Sequence, residues 1–321
     1  MTSPDVTLSV VAPVLDEEGS VAELHRRLTE ALAPLGTYEI VVVDDGSRDR
    51  TWQILTELAA ADPHLRLVRL SRNFGHQVAM TAGLDAARGD AVVCMDGDLQ
   101  DPPEVIPELV ARWREGYDVV YAVRTARPGE TRYKRWTAGA FYRLIGRMSP
   151  VEIPAEAGDF RLLSRRAADA LRAMPERARF LRGMSSWIGF PQAGVPYERE
   201  ARTSGTTKYP TRKMVRFASD AITSFSTTPL RVVAVTGFVL VGFCALYLGY
   251  TLYKRVFTDD TIQGWTSVIV IVLLIGGVQL VSLGVIGQYV ARIYDEVKGR
   301  PLYVVSEVVG GSPAAEDERS S

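Results

Sequence analysis

Tyr38 to Asp45 reads YEIVVVDD, a continuous apolar strand that ends on two carboxylates. A run apolar at consecutive positions suits a strand covered on both faces, as strands of parallel sheets are. The same unit repeats on either side. Upstream, Leu8 to Ala12 is a short apolar run followed by a turn at Pro13 and an amphipathic stretch through Leu24, Leu28 and Leu32, which reads as strand and then helix. Downstream, Thr51 to Ala60 is helical, Leu65 to Leu70 a third strand, Gln77 to Ala87 a third helix, and Ala91 to Met95 a fourth strand. Pro103 to Trp113 supplies the next helix and Val119 to Val123 a fifth strand. This alternation predicts an α/β fold, a mainly parallel sheet with helices on both faces.

Beyond Thr125 the text becomes polar, basic and aromatic as far as Leu181, with helix-like parts around Ala138 to Ile145 and Arg165 to Met174. Met214, Ala218, Ala221 and Phe225 then recur at helical spacing opposite Arg212, Lys213, Arg216 and Asp220. Such a helix either lies on a membrane surface or packs as an ordinary surface helix, and its place just before an apolar run favours the interface. Val232 to Tyr253 and Trp265 to Val290 are almost free of charge, each longer than the roughly 20 residues that cross ~30 Å of hydrocarbon. Arg231 precedes the first run, and Arg292, Lys298 and Arg300 follow the second. The connecting loop sets Lys254 and Arg255 against Asp259 and Asp260, so both ends of the chain are expected on the cytoplasmic side of a cell membrane. The expected divisions are a cytoplasmic domain over 1–210, a juxtamembrane helix over 211–231, two spans within 232–291 and a cytoplasmic tail over 292–321, disordered from Gly310.

The formal net charge is -1, so no overall basic field supports nucleic acid as a partner. Cys94 and Cys244 are the only cysteines. One falls in an expected strand and one in an expected span, which leaves neither a disulfide framework nor a cysteine metal site. Met1 to Asp5 is short and polar, and no signal peptide is read there.

An open parallel sheet binds ligands beyond the carboxyl ends of its strands, and acids gather at that rim. Strand one leads to Asp16, Glu17 and Glu18, strand two to Asp44 and Asp45, and strand four to Asp96-Gly-Asp98-Leu-Gln100-Asp101. So many like charges disfavour joint ionisation unless cations share the space. Oxygen ligands from Asp98, with Asp96 and Gln100, completed by phosphate and water, suit Mg2+ or Mn2+. Asp-Gly-Asp alone reads equally well as a turn. Ala12 to Gly19 lacks the G-x-G-x-x-G of a dinucleotide-binding domain, and a phosphate-accepting signalling domain would explain neither Asp98 nor the apolar runs.

Taken together, VAPVLDEE (Val11 to Glu18), VVVDDGS (Val41 to Ser47), LSRNFGHQ (Leu70 to Gln77), MDGDLQDPP (Met95 to Pro103) and GDFRLL (Gly158 to Leu163) resemble glycosyltransferase family 2. More narrowly, the chain is similar to the polyisoprenyl-phosphate glycosyltransferases, the bactoprenol glucosyltransferases and dolichol-phosphate mannose synthases. The likeness extends to RTSGTTKY (Arg202 to Tyr209) and both apolar runs. It implies a GT-A, Rossmann-like fold followed by an interface helix and two transmembrane helices. It also implies inverting transfer of a monosaccharide, first of all glucose from UDP-glucose, to a polyisoprenyl phosphate, and by analogy a tetrameric homo-oligomer. GDP-mannose, UDP-N-acetylhexosamine and aminoarabinose-type donors stay open.

By resemblance, Pro13, Glu17 and Asp44 hold the nucleoside with Asp45 and Ser47 nearby, and Asp96, Asp98 and Gln100 hold diphosphate and metal. Asp159 lies near the reaction centre, where it orients the sugar or serves as a base; a helix cap or a salt bridge with Arg161 is the bland reading. Arg124, Lys134, Arg135, Arg202 and Lys208 lie where relatives gather cations for the acceptor phosphate, although Lys134 and Arg135 read equally well as solvated surface residues. Asp16 stands where the family often has Asn, and Thr206 with Thr207 where Gly-Ser-Lys is usual. His76 is read as a loop histidine with no metal. Two other functions remain in view: a processive polysaccharide synthase, which calls for more spans, and a membrane scaffold that binds nucleotide sugar without turnover.

Overall fold

The structure is a computed structural model and describes residues 7–124, 157–177, 179–198, 228–257 and 265–310. The chain divides into two compact units, one built on the sheet and including the residues from Arg300 onward, the other containing the two long apolar helices.

In the sheet unit the expected alternation is present. Strands β1 (Leu8–Val14), β2 (Tyr38–Asp44), β3 (Leu65–Leu70), β4 (Ala91–Cys94) and β5 (Val119–Arg124) are separated by helices α1 (Val21–Leu32), α2 (Thr51–Ala61), α3 (His76–Ala86) and α4 (Ile106–Arg114). Then come β6 (Ala157–Ser164), α5 (Arg165–Ala173), α6 (Leu181–Trp187), β7 (Gln192–Tyr197) and, at the far end of the chain, β8 (Val305–Val309). The strand order is β7-β5-β6-β4-β1-β2-β3-β8. Pairs β1–β2, β1–β4, β2–β3 and β5–β7 are parallel, while β6 runs antiparallel between β4 and β5, and β8 antiparallel along β3. The sheet is therefore mixed, its parallel part lying where the apolar runs placed it.

Side chains alternate between two cores. Val10, Ala12, Ile40 and Val42 face Leu24 and Leu28 of α1, Leu55 of α2 and Leu109 of α4. Val11, Val41 and Val43 face Met80 of α3, Leu171 of α5 and Met184 of α6. Helices thus cover both faces, which is why strands one and two are apolar at consecutive positions. Gly83 lets α3 lie close on the sheet, because a Cβ there would run into Val11 Cγ1 and come within 3.0 Å of Val43 Cγ2. Gly83→Ala is expected to cost about 1–3 kcal/mol through overpacking, read as a lower thermal midpoint in detergent.

The segment after the second apolar helix returns to the sheet. Gly299, in the left-handed region at φ 59°, and Pro301 follow the helix end. Val305–Val309 then pairs with β3, Ser71 N donates to Val304 O at 2.9 Å, and Tyr303 OH reaches Asp85 Oδ2 at 2.8 Å. Part of the expected C-terminal tail is thus a sheet strand that caps the β3 edge. A chain ended after Arg231 loses this strand along with the apolar helices, and an uncovered edge templates aggregation. Light scattering is expected to show that truncation self-associating more than a chain in which residues 228–299 alone are replaced by a flexible linker. Equal scattering would count against an edge-capping role.

In the second unit, helices α7 (Thr228–Phe257) and α8 (Trp265–Val297) pack on each other as a hairpin. Leu230–Lys254 and Leu274–Val297 are long and apolar enough to cross a membrane. Their large hydrophobic side chains, such as Phe238, Leu246, Leu280 and Leu283, point outward, as expected where lipid is the solvent.

Candidate active site

The carboxyl ends of β1, β2 and β4 and the amino end of the antiparallel β6 converge on one rim, and the local sequence explains how each side chain reaches it. Gly97 follows β4 directly over β1. A Cβ at this position would stand 2.7 Å from Pro13 O and 2.6 Å from Val14 Cγ1, so the loop can close only on glycine and sets Asp96 and Asp98 beside buried Pro13. Asp98 receives Gln100 N at 3.1 Å and Gln100 Nε2 at 2.5 Å. Asp16 adopts φ 54°, a conformation that Asn and Asp tolerate better than most residues. That conformation lets Asp16 N donate to Ser47 Oγ at 3.0 Å while Asp16 Oδ1 accepts from Arg48 N at 2.8 Å. Glu17 N donates to Thr51 Oγ1 at 2.8 Å.

Asp44 is fully buried. Its Oδ1 accepts from Ser47 N at 2.9 Å, but among the described residues no hydrogen-bond donor reaches Oδ2. Arg69 Nε stands 3.4 Å from that oxygen, and its guanidinium lies over the Trp52 ring at 5.0 Å. A buried carboxylate oxygen with an unfilled acceptor position is costly unless a ligand donates to it. Asp45 is engaged differently. Its two oxygens accept Phe74 N at 2.7 Å and Gly75 N at 3.0 Å, and burial is the largest influence on its pKa, which is raised. Asp45 thereby fixes the loop that starts α3 and presents His76 and Gln77 to the rim.

His76 Nε2 lies 3.2 Å from Asp96 Oδ1 and 3.6 Å from Asp159 Oδ2. Burial opposes the charged ring, but the two carboxylates outweigh it and raise its pKa. Asp159 projects from β6 and receives Arg182 Nε at 2.8 Å, Arg182 Nη2 at 3.2 Å and Gln77 Nε2 at 3.0 Å. Desolvation works against its charge, yet the bonds from His76 and Arg182 prevail and hold it well below the usual carboxylate range. Arg161 does not pair with Asp159 in a salt bridge. It is buried beneath it and donates to Gly158 O at 2.7 Å and to Ser185 Oγ.

On the β5 side, Arg124 Nε donates to Tyr197 OH at 3.1 Å, and Tyr197 OH donates to buried Asp101 at 2.5 Å. Arg124 Nη2 also packs against Gly158, where a Cβ would sit 2.8 Å away. Arg124 thus covers the residue that precedes Asp159 on β6. The rim therefore combines an unfilled acceptor at Asp44, an acidic pair at Asp96 and Asp98, and a cation-flanked carboxylate at Asp159.

Residues 9–172 match the glycosyl transferase family 2 model, and residues 228–293 match the GtrB C-terminal hairpin. An uncharacterized glycosyltransferase of Bacillus subtilis is 48% identical over 96% of this chain and 96% of its own. The chain belongs to glycosyl transferase family 2. A prophage-derived bactoprenol glucosyl transferase of Shigella flexneri is 40% identical to this glycosyltransferase, covering 95% of it and 99% of the relative. Among solved structures, glucosyl-3-phosphoglycerate synthase from Mycobacterium tuberculosis superposes with a TM-score of 0.48 at 22% identity, covering 69% of this chain and 80% of that one.

Of the residues singled out in the sequence of this glycosyltransferase, Pro13, Glu17, Asp44, Asp45, Ser47, Asp96, Asp98, Gln100, Arg124 and Asp159 are placed around one rim. Lys134, Arg135, Arg202 and Lys208, and the amphipathic segment that contains Met214, lie outside the described residues. His76, Gln77, Arg182, Asp101 and Tyr197 are additional site residues. The sequence signal for His76 and Gln77 was their place at the first turn after strand three; Arg182 and Tyr197 carry no local signal. A metal fits the donor chemistry, since one ligand atom each from His76, Asp96 and Asp159 lie within 4.8 Å of one another. The two carboxylates of this set suit Mg2+ or Mn2+; the set shares Asp96 with the ligands expected from sequence, contains His76, which was expected to hold no metal, and does not include Asp98 or Gln100. Asp159 is the weakest of the three as a ligand because Arg182 and Gln77 already occupy its oxygens.

Proposed function

We propose that this glycosyltransferase moves one glucose from UDP-glucose to a polyisoprenyl phosphate of undecaprenyl or decaprenyl type, inverting the anomeric carbon. The observation that carries this reading is the 40% identity to a bactoprenol glucosyl transferase over 95% of this chain and 99% of that one, spanning both the catalytic domain and the hairpin. In the proposal Asp44 Oδ2 accepts the imino N–H of the base, with Pro13, Glu17, Asp45 and Ser47 shaping that pocket. Asp96, Asp98 and Gln100 face the diphosphate and would hold Mg2+ or Mn2+ with it. A bound divalent ion supplies charge neutralisation for the departing diphosphate.

Arg124, joined by Lys134, Arg135, Arg202 and Lys208, orients the acceptor phosphate for in-line attack. A phosphate oxygen forms the bond to the anomeric carbon, the bond from that carbon to the diphosphate breaks, and its electron pair leaves on the nucleoside diphosphate. A phosphomonoester whose second pKa is near ~6 is already a dianion at neutral pH, so no proton need be removed. Membrane attachment through two spans, with the catalytic domain and both termini cytoplasmic, belongs to the same proposal. It is supported by β8, which brings the chain after α8 back to the sheet it left. Assembly as a tetramer is part of the proposal by analogy alone.

The test is incubation of the purified full-length protein with undecaprenyl phosphate and a panel of UDP- and GDP-sugars, followed by mass spectrometry of the lipid. A mass gain of one hexose with UDP-glucose is expected. A gain only with GDP-mannose or a UDP-N-acetylhexosamine would replace the donor, and binding without any product would favour the scaffold.

A further inference from the structure

We propose that Arg182 and Gln77 form a clamp that makes Asp159 a fixed hydrogen-bond acceptor for the transferred sugar. The inference rests on the sugar transfer proposed above and assigns the role that sequence reading left open. Three elements build the clamp. Arg182, on the first turn of α6, grips both oxygens of Asp159 at 2.8 and 3.2 Å. Gln77, on the first turn of α3, donates to Oδ2 at 3.0 Å, and its own orientation is locked because its Oε1 accepts Leu181 N at 3.2 Å. Arg161, a buried residue of β6, ties Gly158 O to Ser185 Oγ of α6.

The carboxylate therefore cannot rotate without breaking contacts to two helices. A carboxylate has about four acceptor positions, and Oδ1, which accepts from Arg182 Nε, keeps capacity for a sugar hydroxyl. A fixed acceptor beside the reaction centre acts through orientation, and orientation appears in kcat when it improves in the transition state. Arg182 and Gln77 are positioning residues in this scheme. Neither residue is used elsewhere in the reaction.

The experiment uses the full-length protein in detergent with UDP-glucose and undecaprenyl phosphate. It compares wild type, Arg182→Met, Arg182→Lys and Gln77→Ala for kcat, both KM values and UDP binding by calorimetry. Arg182→Met is expected to lower kcat by about 100-fold with both KM values and UDP affinity unchanged, and Arg182→Lys to recover part of the loss. A wild-type kcat in Arg182→Met, or a loss that appears in KM with kcat unchanged, overturns the clamp. If Arg182→Met no longer binds UDP, Gln77→Ala carries the same comparison with the ion pair intact. A wild type that transfers no sugar overturns the parent reading and the clamp together, whereas an active wild type with unaltered variants overturns the clamp alone.

Discussion

Asp98→Ala is expected to reduce sugar transfer by about 10³-fold, equivalent to about 4 kcal/mol of transition-state stabilisation, while leaving the fold and membrane attachment intact. The reason lies in where charge develops. When the anomeric bond breaks, the nucleoside diphosphate gains negative charge, and groups already positioned to neutralise it are worth most in a site sheltered from water. Asp98 sits in the loop after β4, partly exposed, where its carboxylate accepts from Gln100 N and Nε2. Chelation should reproduce the loss in wild type and add little in the variant. Full activity of Asp98→Ala in a radiolabelled-sugar assay, with chelator present, would remove the metal from the account.

Asp44→Asn is expected to weaken UDP binding by about 10- to 100-fold, because a hydrogen bond to a charged group is worth roughly 1.5–3 kcal/mol. Ser47 N donates to Oδ1 at 2.9 Å, so the new amide must keep its oxygen there. Its NH2 then points where Oδ2 had been, toward the base and 3.4 Å from Arg69 Nε in the present geometry. A donor would face donors. Calorimetry with UDP is the measurement, and at saturating donor kcat should fall far less than in Asp98→Ala. Equal UDP affinity in variant and wild type would mean that the base does not meet Asp44.

Strands β1, β2 and β4 were readable because they are apolar at consecutive positions and lead to carboxylates. Leu65–Leu70 occupies the range expected, and the other four strands differ at their ends by a residue or two. The strand Ala157–Ser164 was missed as an element although GDFRLL was noticed as a motif. It carries Asp159 and Arg161 inward, both almost fully buried, and local patterning assigns such residues to a surface. Gln192–Tyr197 contains Gly194 and Pro196, which lower strand propensity and are tolerated on the sheet edge it occupies. Val305–Val309 pairs with a strand more than 230 residues away, which no local pattern can announce.

Site legibility followed the same division. Carboxylates that follow strands one, two and four lie on one rim because topology alone puts them there. The distinction between Asp44 and its neighbour Asp45 was not legible. One is left with an unfilled buried oxygen, and the other is spent on two backbone N–H groups of the next loop. His76 looked like a loop residue because its partners, Asp96 and Asp159, approach only through folding. The four cations beyond Arg124 lie outside the described residues, so the acceptor side rests on the resemblance and on Arg124.

The most direct test is an experimentally determined structure of the full-length protein with UDP and Mn2+ bound. The uracil is expected against Asp44 Oδ2, and the diphosphate with its ion over Gly97 beside Asp96 and Asp98, one side of it facing Asp159 and Arg124. A nucleotide bound away from that rim, or an Asp44 oxygen still without a donor when the site is full, would contradict the account.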